Sequence, residues 1–253
     1  MIELSGPGFL AGLAAVLFAV AVLYSSVGHG GASGYLAILS FFAFAPEEMA
    51  TTALTLNVLV SGLAFASFRA AGYFRPTLLI PFIVASIPAA FVGGMLSVPP
   101  RYYAWLLGAV LIVAAGRLVW RARSEEMTRV VAAPRLGIAA STGAGIGLLS
   151  GIVGVGGGIF LSPVLILMGW ATPRQTAAVS AGFIFLNSLS GLGGRAVGGN
   201  LAFGQLLWVV PAVLAGGLIG SRLGALRVHS SGSRRLLAAV LLLAALKLLV
   251  LGL

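Results

Sequence analysis

This sequence predicts an all-α integral membrane protein built from two inverted-topology repeats. Three observations lead there. Hydrophobic residues make up 60% of the 253 and charged residues 8%, whereas a soluble domain is nearer half apolar and a quarter charged. So much apolar surface is accommodated only with lipid as the solvent. The apolar residues gather into ten segments, five per half. A glycine-rich turn occupies the same place in each half: Gly28-His29-Gly30-Gly31-Ala32 and, 126 residues on, Gly154-Val155-Gly156-Gly157-Gly158.

In order, the first half reads as apolar segments 9–27, 31–44, 50–68, 77–97 and 102–120. The second reads as 136–152, 158–169, 175–194, 204–221 and 236–252. A full crossing takes about 20 residues. Eight segments meet or approach that length. Segments 31–44 and 158–169, which follow the glycine turns, do not, and read as half-membrane helices. The polar stretch 121–135 divides a first transmembrane repeat, 1–120, from a second, 136–253, as a cytoplasmic basic linker. Met1-Ile2-Glu3 carries no basic region ahead of its apolar run, so residues 9–27 read as a first membrane segment and not a signal peptide.

The net charge of +10 is spread between apolar runs and forms no single patch. That sets a nucleic-acid partner aside and makes the lipid bilayer the partner. With the linker inside, the inner face receives Arg69, Arg75, the five arginines from Arg117 to Arg135, Arg174 and the four from Arg222 to Arg235. These are twelve of the 15 basic residues. Arg101 and Arg195 fall outside, and Lys247 snorkels near the outer end. Both termini are then outside, in the cytoplasmic membrane. Five segments per half is an odd number, so the second half enters the membrane in the opposite sense, the plan of many secondary transporters. Further pairs support the repeat: Pro46 with Pro173 and Gly72 with Gly199 at an offset of 127, and Pro88 and Gly93-Gly94 with Pro211 and Gly216-Gly217 at 123. The chain has no cysteine, which excludes disulfides, thiolate metal sites and dithiol relays; no cofactor is expected.

The chemistry centres on the glycine turns. Irregular backbone at membrane depth is tolerated where it is buried in protein or lines a wet cavity. Glycine lets the chain reverse and lets a ligand approach the backbone. The residues after each turn open a helix whose first N–H groups lack internal partners and carry the positive end of the dipole. Two such termini, one per half, facing each other near the midplane form a site for a small anion. Gly28, Gly30, Gly31, Gly154, Gly156, Gly157 and Gly158 are therefore the expected substrate-binding backbone. The competing role for any single glycine is close helix packing.

With this duplicated G-x-G-G element, each copy opening a short helix, the chain resembles the TauE/SafE family of sulfite and organosulfonate exporters. Gly154 to Gly158 match the second-half pattern; the first-half copy departs from it at Ala32. The resemblance covers nearly the whole chain. It implies a small sulfur-containing anion, or a carboxylate relative, as substrate.

Polar side chains inside apolar segments complete the expected site. Asn57, Ser33 just after the first turn and, in the segment equivalent to that of Asn57, Ser180 and Asn187 are expected to bind the substrate, offering uncharged hydrogen bonds to an oxyanion; the other role of such side chains is bonding between helices, worth about 1 kcal/mol or less. No Asp or Glu lies deep in a segment. His29 is expected to be the one ionisable residue near the midplane, as a proton carrier, as part of the anion site, or as a ring bonded to a loop carbonyl. Its counterpart is Val155, which favours the last. His229 falls in an inner basic loop. Arg195 is either an attractor of anions at an outer mouth or an interfacial anchor.

The function expected is secondary transport of a small anion by alternating access, as export, with a proton or sodium ion as possible coupling partner and a homodimer as the guessed assembly. No nucleotide-binding signature supports ATP coupling, and no enzyme activity is expected. The rival readings are an anion channel and an intramembrane serine protease of rhomboid type. The latter rests on Gly31-Ala32-Ser33-Gly34 and is weak, because neither histidine is placed to form a dyad with Ser33.

Overall fold

The computed structural model describes residues 7–42, 44–121, 134–203, 208–226 and 232–251. Among the described residues there are ten α-helices and no strand. They are α1 (Pro7–Ser25), α2 (Ala32–Leu39), α3 (Pro46–Ala70), α4 (Pro76–Met95), α5 (Pro100–Arg121), α6 (Leu136–Val153), α7 (Gly158–Leu167), α8 (Pro173–Val197), α9 (Val210–Leu226) and α10 (Gly232–Leu251). Five of them open on proline, whose missing N–H costs nothing at a first helical position. α8 adds a capping box, in which Thr172 N–H donates to Gln175 Oε1 at 3.0 Å and Gln175 N–H to Thr172 Oγ1 at 3.4 Å.

The chain is an all-α membrane protein. Among the described residues α3, α4, α6 and α8 are long and apolar enough to cross a bilayer, fewer than the eight segments expected; α1, α9 and α10 contribute shorter apolar stretches. Large apolar side chains face outward on these helices, such as Val84 at 63% exposure and Leu243 at 61%, as lipid contact requires. The expected short segments are short. α2 has 8 residues and α7 has 10, or about 12 and 15 Å of helix. α3 and α8 have 25 each, about 37 Å.

Small residues set the packing. In α6, Gly143, Gly147 and Gly151 press their Cα atoms against the carbonyls of Phe82, Ser86 and Ala90 of α4. Both numberings rise together, so α4 and α6 are parallel. In α9, Gly216, Gly220 and Gly224 press in the same way on Phe18, Val22 and Ser26, and α1 runs parallel to α9. α8 is parallel to α4 through Ser190 on Ile87 and Gly194 on Phe91. α3 is parallel to α9 through Val60 on Gly217 and Ser67 on Ser221. α3 and α8 cross antiparallel, with Leu54 near Gly191 and Phe65 near Gly182. Hence α1, α3 and α9 run one way and α4, α6 and α8 the other. Helices holding the same place in the two halves (α1 and α6, α3 and α8, α4 and α9) run in opposite directions.

The sequence pairs fall at matching places. Pro46 and Pro173 open α3 and α8. Gly72 and Gly199 follow those helices with φ of 80° and 71°. Gly93 packs on α6 and Gly94 on α8, as Gly216 packs on α1 and Gly217 on α3. Pro88 and Pro211 differ: Pro88 lies inside α4, whereas Pro211 sits at the second position of α9. Of the segment expected at 204–221, residues 204–207 lie outside the described residues, and α9 runs Val210–Leu226, past the expected end; Arg222 does not end it, since a basic side chain at a helix end reaches polar surroundings without breaking the helix. The linker lies mostly at 122–133 and His229 at 227–231, outside the described residues.

The glycine stripe yields a stability test. Gly147→Val places a branched side chain in the Ser86 backbone and should destabilise the detergent-solubilised protein by about 1–3 kcal/mol. Gly145→Ala, with nothing within 4 Å of its Cβ, should leave the melting temperature unchanged.

Candidate functional site

Both glycine turns reach the middle of the bundle. The N-caps of α2 and α7 are Gly31 (φ 99°) and Gly157 (φ 79°), left-handed conformations that a side chain would strain. Gly30 packs on Asn57, at the centre of α3. Gly156 and Gly158 pack on Ile184, at the centre of α8, and Gly157 packs on Ile146, midway along α6. The short helices therefore begin near mid-span.

Asn57 joins the two turns. Its Oδ1 accepts from the N–H of Ala32, the first residue of α2, at 3.1 Å. Its Nδ2 donates to the carbonyl of Val155, inside the second turn, at 3.1 Å. The side chain is fully buried. It thus satisfies one of the open donors of α2 and one irregular carbonyl of the other half at the same time. A Cβ at Gly30 would strike Oδ1 and one at Gly156 would strike Nδ2, so both glycines are needed for this approach.

A second cluster surrounds His29. Its Nδ1 lies 3.0 Å from the Val27 carbonyl. Around Nε2 stand Arg117 NH1 at 2.7 Å, Ser162 Oγ at 3.1 Å and the Gly158 carbonyl at 3.2 Å. Ser162 Oγ also bonds Ser180 Oγ at 2.7 Å and donates to the Gly158 carbonyl at 2.9 Å. Because arginine only donates, its contact with Nε2 fits a neutral ring carrying its proton on Nδ1 toward Val27. His29, Ser162, Ser180 and Arg117 form one chain linking the first turn to α5, α7 and α8.

Arg117 corrects two expectations. Counted with the basic residues of the inner face, it is a buried arginine, 9% exposed, on α5. His29 is consequently not the one ionisable group at this depth. The signal was present: Tyr103, Leu107, Val110 and Ala114 are buried at helical spacing, and Arg117 continues that stripe. A charge within such a stripe is a functional feature by default.

The remaining expected residues divide. Gly28 packs on Ala177 and Gly154 on Ala50, beside but not between the turns. Ser33 Oγ bonds Tyr24 OH at 2.7 Å, so no histidine activates it, and the serine near His29 is Ser162. Asn187 donates from Nδ2 to Phe183 of its own helix at 2.9 Å, so no bond ties it to either turn. Its neighbour Ser188 has that place, with its Oγ 2.8 Å from where a Gly156 Cβ would lie. Tyr35 OH stands 2.6 Å from the corresponding point on Gly31. Both hydroxyls are fully buried without a hydrogen-bond partner among the described residues. Neither was legible as a site residue, since Tyr35 lies in an apolar run and Ser188 is one of several serines.

Arg195 is neither an anchor nor exposed. It is 4% exposed and donates from NH2 to the carbonyls of Ile152 at 2.7 Å and Gly151 at 3.3 Å. Tyr103 OH donates to Val153 at 3.0 Å. Together they cap the last carbonyls of α6 at its negative end. Lys247, expected to snorkel, bonds the Ser40 carbonyl at the end of α2. The centre of the bundle thus collects the positive ends of α2 and α7 and the Arg117 guanidinium, and no acidic residue among the described ones reaches it. That arrangement suits a small anion.

Comparison with known proteins agrees in kind. The family profile described as sulfite exporter TauE/SafE matches residues 13–248. A "probable membrane transporter protein", y4hK, of Sinorhizobium fredii is 38% identical over 240 residues, 94% of this chain and 97% of its own. A "probable membrane transporter protein", YunE, of Bacillus subtilis is 32% identical over 76 residues, 30% of this chain and 28% of its own. No solved structure matches.

The Asn57 bridge has a measurable consequence. Asn57→Leu leaves the Ala32 N–H and the Val155 carbonyl unpaired and should lower stability in detergent by on the order of 2 kcal/mol or more, with faster hydrogen exchange at Ala32. Asn187→Leu should cost less. Equal melting of the two variants would mean that the bridge holds nothing.

Proposed function

Because the chain belongs to the TauE/SafE family, we propose that it is a secondary transporter moving sulfite, an organosulfonate or a related small anion out across the cytoplasmic membrane. The family is one of membrane transporters, so the activity is transport and not catalysis. The observation that carries the site is the meeting of the N-termini of α2 and α7 through Asn57 at mid-span. An anion placed there meets the positive dipole ends, the hydroxyls of Tyr35 and Ser188, and the charge of Arg117 behind His29. Uncharged donors and one cation bind a small oxyanion without trapping it, which a carrier needs.

Alternating access follows from the repeat. Residues 1–120 and 136–253 are the two repeats, with 121–135 as the inner linker and both termini outside. The opposed directions of α1 and α6, α3 and α8, and α4 and α9 support an inverted pair. Rocking one half against the other about the glycine turns would expose the anion to each side in turn. Export down an inside-negative potential needs no other energy; uphill movement draws on a coupled proton or sodium ion.

Sulfite flux into proteoliposomes tests this reading. The unaltered protein should show saturable flux. Gly157→Leu, forced into a left-handed position against Ile146 and Phe183, should abolish it. Arg117→Gln should cut it about tenfold, the loss expected when a buried cation behind His29 contributes about 1.4 kcal/mol to holding the anion. Equal flux in all three would move the site away from the turns.

A further inference from the structure

α3 and α8 each carry one arginine in their last turn, Arg69 and Arg195. The two are 126 residues apart, the offset that relates the glycine turns. Helices that hold equivalent places should, in a symmetric molecule, use them alike. They do not. Arg195 is buried and grips the carbonyls of Gly151 and Ile152, where α6 ends and the second turn begins. Arg69 is exposed, and no described residue is bonded to its guanidinium. The carbonyls at the matching offset belong to Ser25 and Ser26, where α1 ends and the first turn begins. Of these, Ser25 is occupied by Gly28 N–H of the turn itself, at 3.0 Å.

We infer that Arg195 and Arg69 are two copies of one latch, the first engaged and the second released, and that transport alternates between them. The inference rests on the transporter reading above and adds the residues that close each end. Engaged, Arg195 ties α8 to the end of α6 and shuts the end of the bundle that holds Glu47, Tyr103 and Asn200, which line a small cavity beside it. In the opposite state Arg69 ties α3 to the end of α1 and shuts the other end, while Arg195 lets go.

The charges around the two latches explain why this one is engaged. Because α3 and α8 are antiparallel, the first turn of one lies at the last turn of the other. Glu47, in the first turn of α3, stands at the Arg195 end. Its equivalent at an offset of 127 is Arg174 in the first turn of α8, which stands at the Arg69 end, stacked 5.1 Å over Tyr73. One end therefore holds acids with a base, and the other, among the described residues, holds only bases, Arg69, Arg75 and Arg174. Like charges make closure of the second end the less favoured of the two, so the state latched by Arg69 is the minor one although it is reached without substrate.

The test uses the cysteine-free chain. Ser150 is fully buried in α6, one residue before the latched carbonyls, and its hydroxyl has no partner among the described residues, so Ser150→Cys is a mild reporter of the Arg195 end. In proteoliposomes open to a hydrophilic maleimide on both faces, this cysteine should label slowly. Adding Arg195→Gln should speed labelling about tenfold, the factor for losing a charge-assisted bond. Adding Arg69→Gln should slow it by a similar factor, because the competing closure weakens. Arg195→Lys, which keeps a cation, should fall between. Labelling that rises in both glutamine variants, or changes in neither, overturns the inference. If Arg195→Gln fails to fold, the exposed Arg69→Gln decides alone: unchanged or faster labelling overturns the pairing. Labelling needs no substrate. Opposite signs with no sulfite flux would support the latch while removing sulfite as its cargo.

Discussion

Two helix breaks lie at mid-height in this bundle, and hydrocarbon offers nothing to bond the backbone groups they expose. The carboxamide of Asn57 resolves part of that problem for both halves together, accepting from Ala32 and donating to Val155. An amide is the one uncharged side-chain group that offers a strong acceptor and strong donors on adjacent atoms. A hydroxyl would be too short to span both turns, and a carboxylate would repel the Val155 carbonyl. The glycines at 30 and 156 follow from this, since each leaves the space the amide fills.

Around that bridge the packing is built from close backbone approach. Stripes of glycine at intervals of four let α6 lie on α4 and α9 lie on α1. In lipid, apolar burial gives little force between helices, so such contacts and interhelical hydrogen bonds carry association. The same economy explains why arginine appears inside. Arg195 spans the last carbonyls of α6, and Arg117 lies against His29 and the start of α7. Arg195 serves backbone that would otherwise be orphaned, and Arg117 ties the first turn to α5.

Much of this was legible in the sequence. Lipid as solvent followed from composition, and the short α2 and α7 followed from glycine clusters ahead of apolar runs too brief to cross. Asn57 was legible as a buried amide, yet its partner Val155 lies 98 positions away, and no periodicity reports such a contact. Arg117 was misplaced because charge near a polar linker counts toward topology, while the helical stripe that buries it was not followed to its end. Asn187 was among the expected site residues and its neighbour Ser188 was not, and one step along a helix rotates a residue by about 100°. Arg195 was read from its position near a helix end, and what decided its role was the end of a different helix.

The proposed anion site lies where the two halves meet, between the N-termini of α2 and α7. The direct measurement is a crystal structure with selenite, a heavier analogue of sulfite, located by the anomalous signal of selenium. A single strong peak is expected within hydrogen-bond reach of the amides of Gly31 to Ser33 or Gly157 to Ile159, beside Asn57. A peak confined to another part of the bundle, with this junction unchanged, would contradict it.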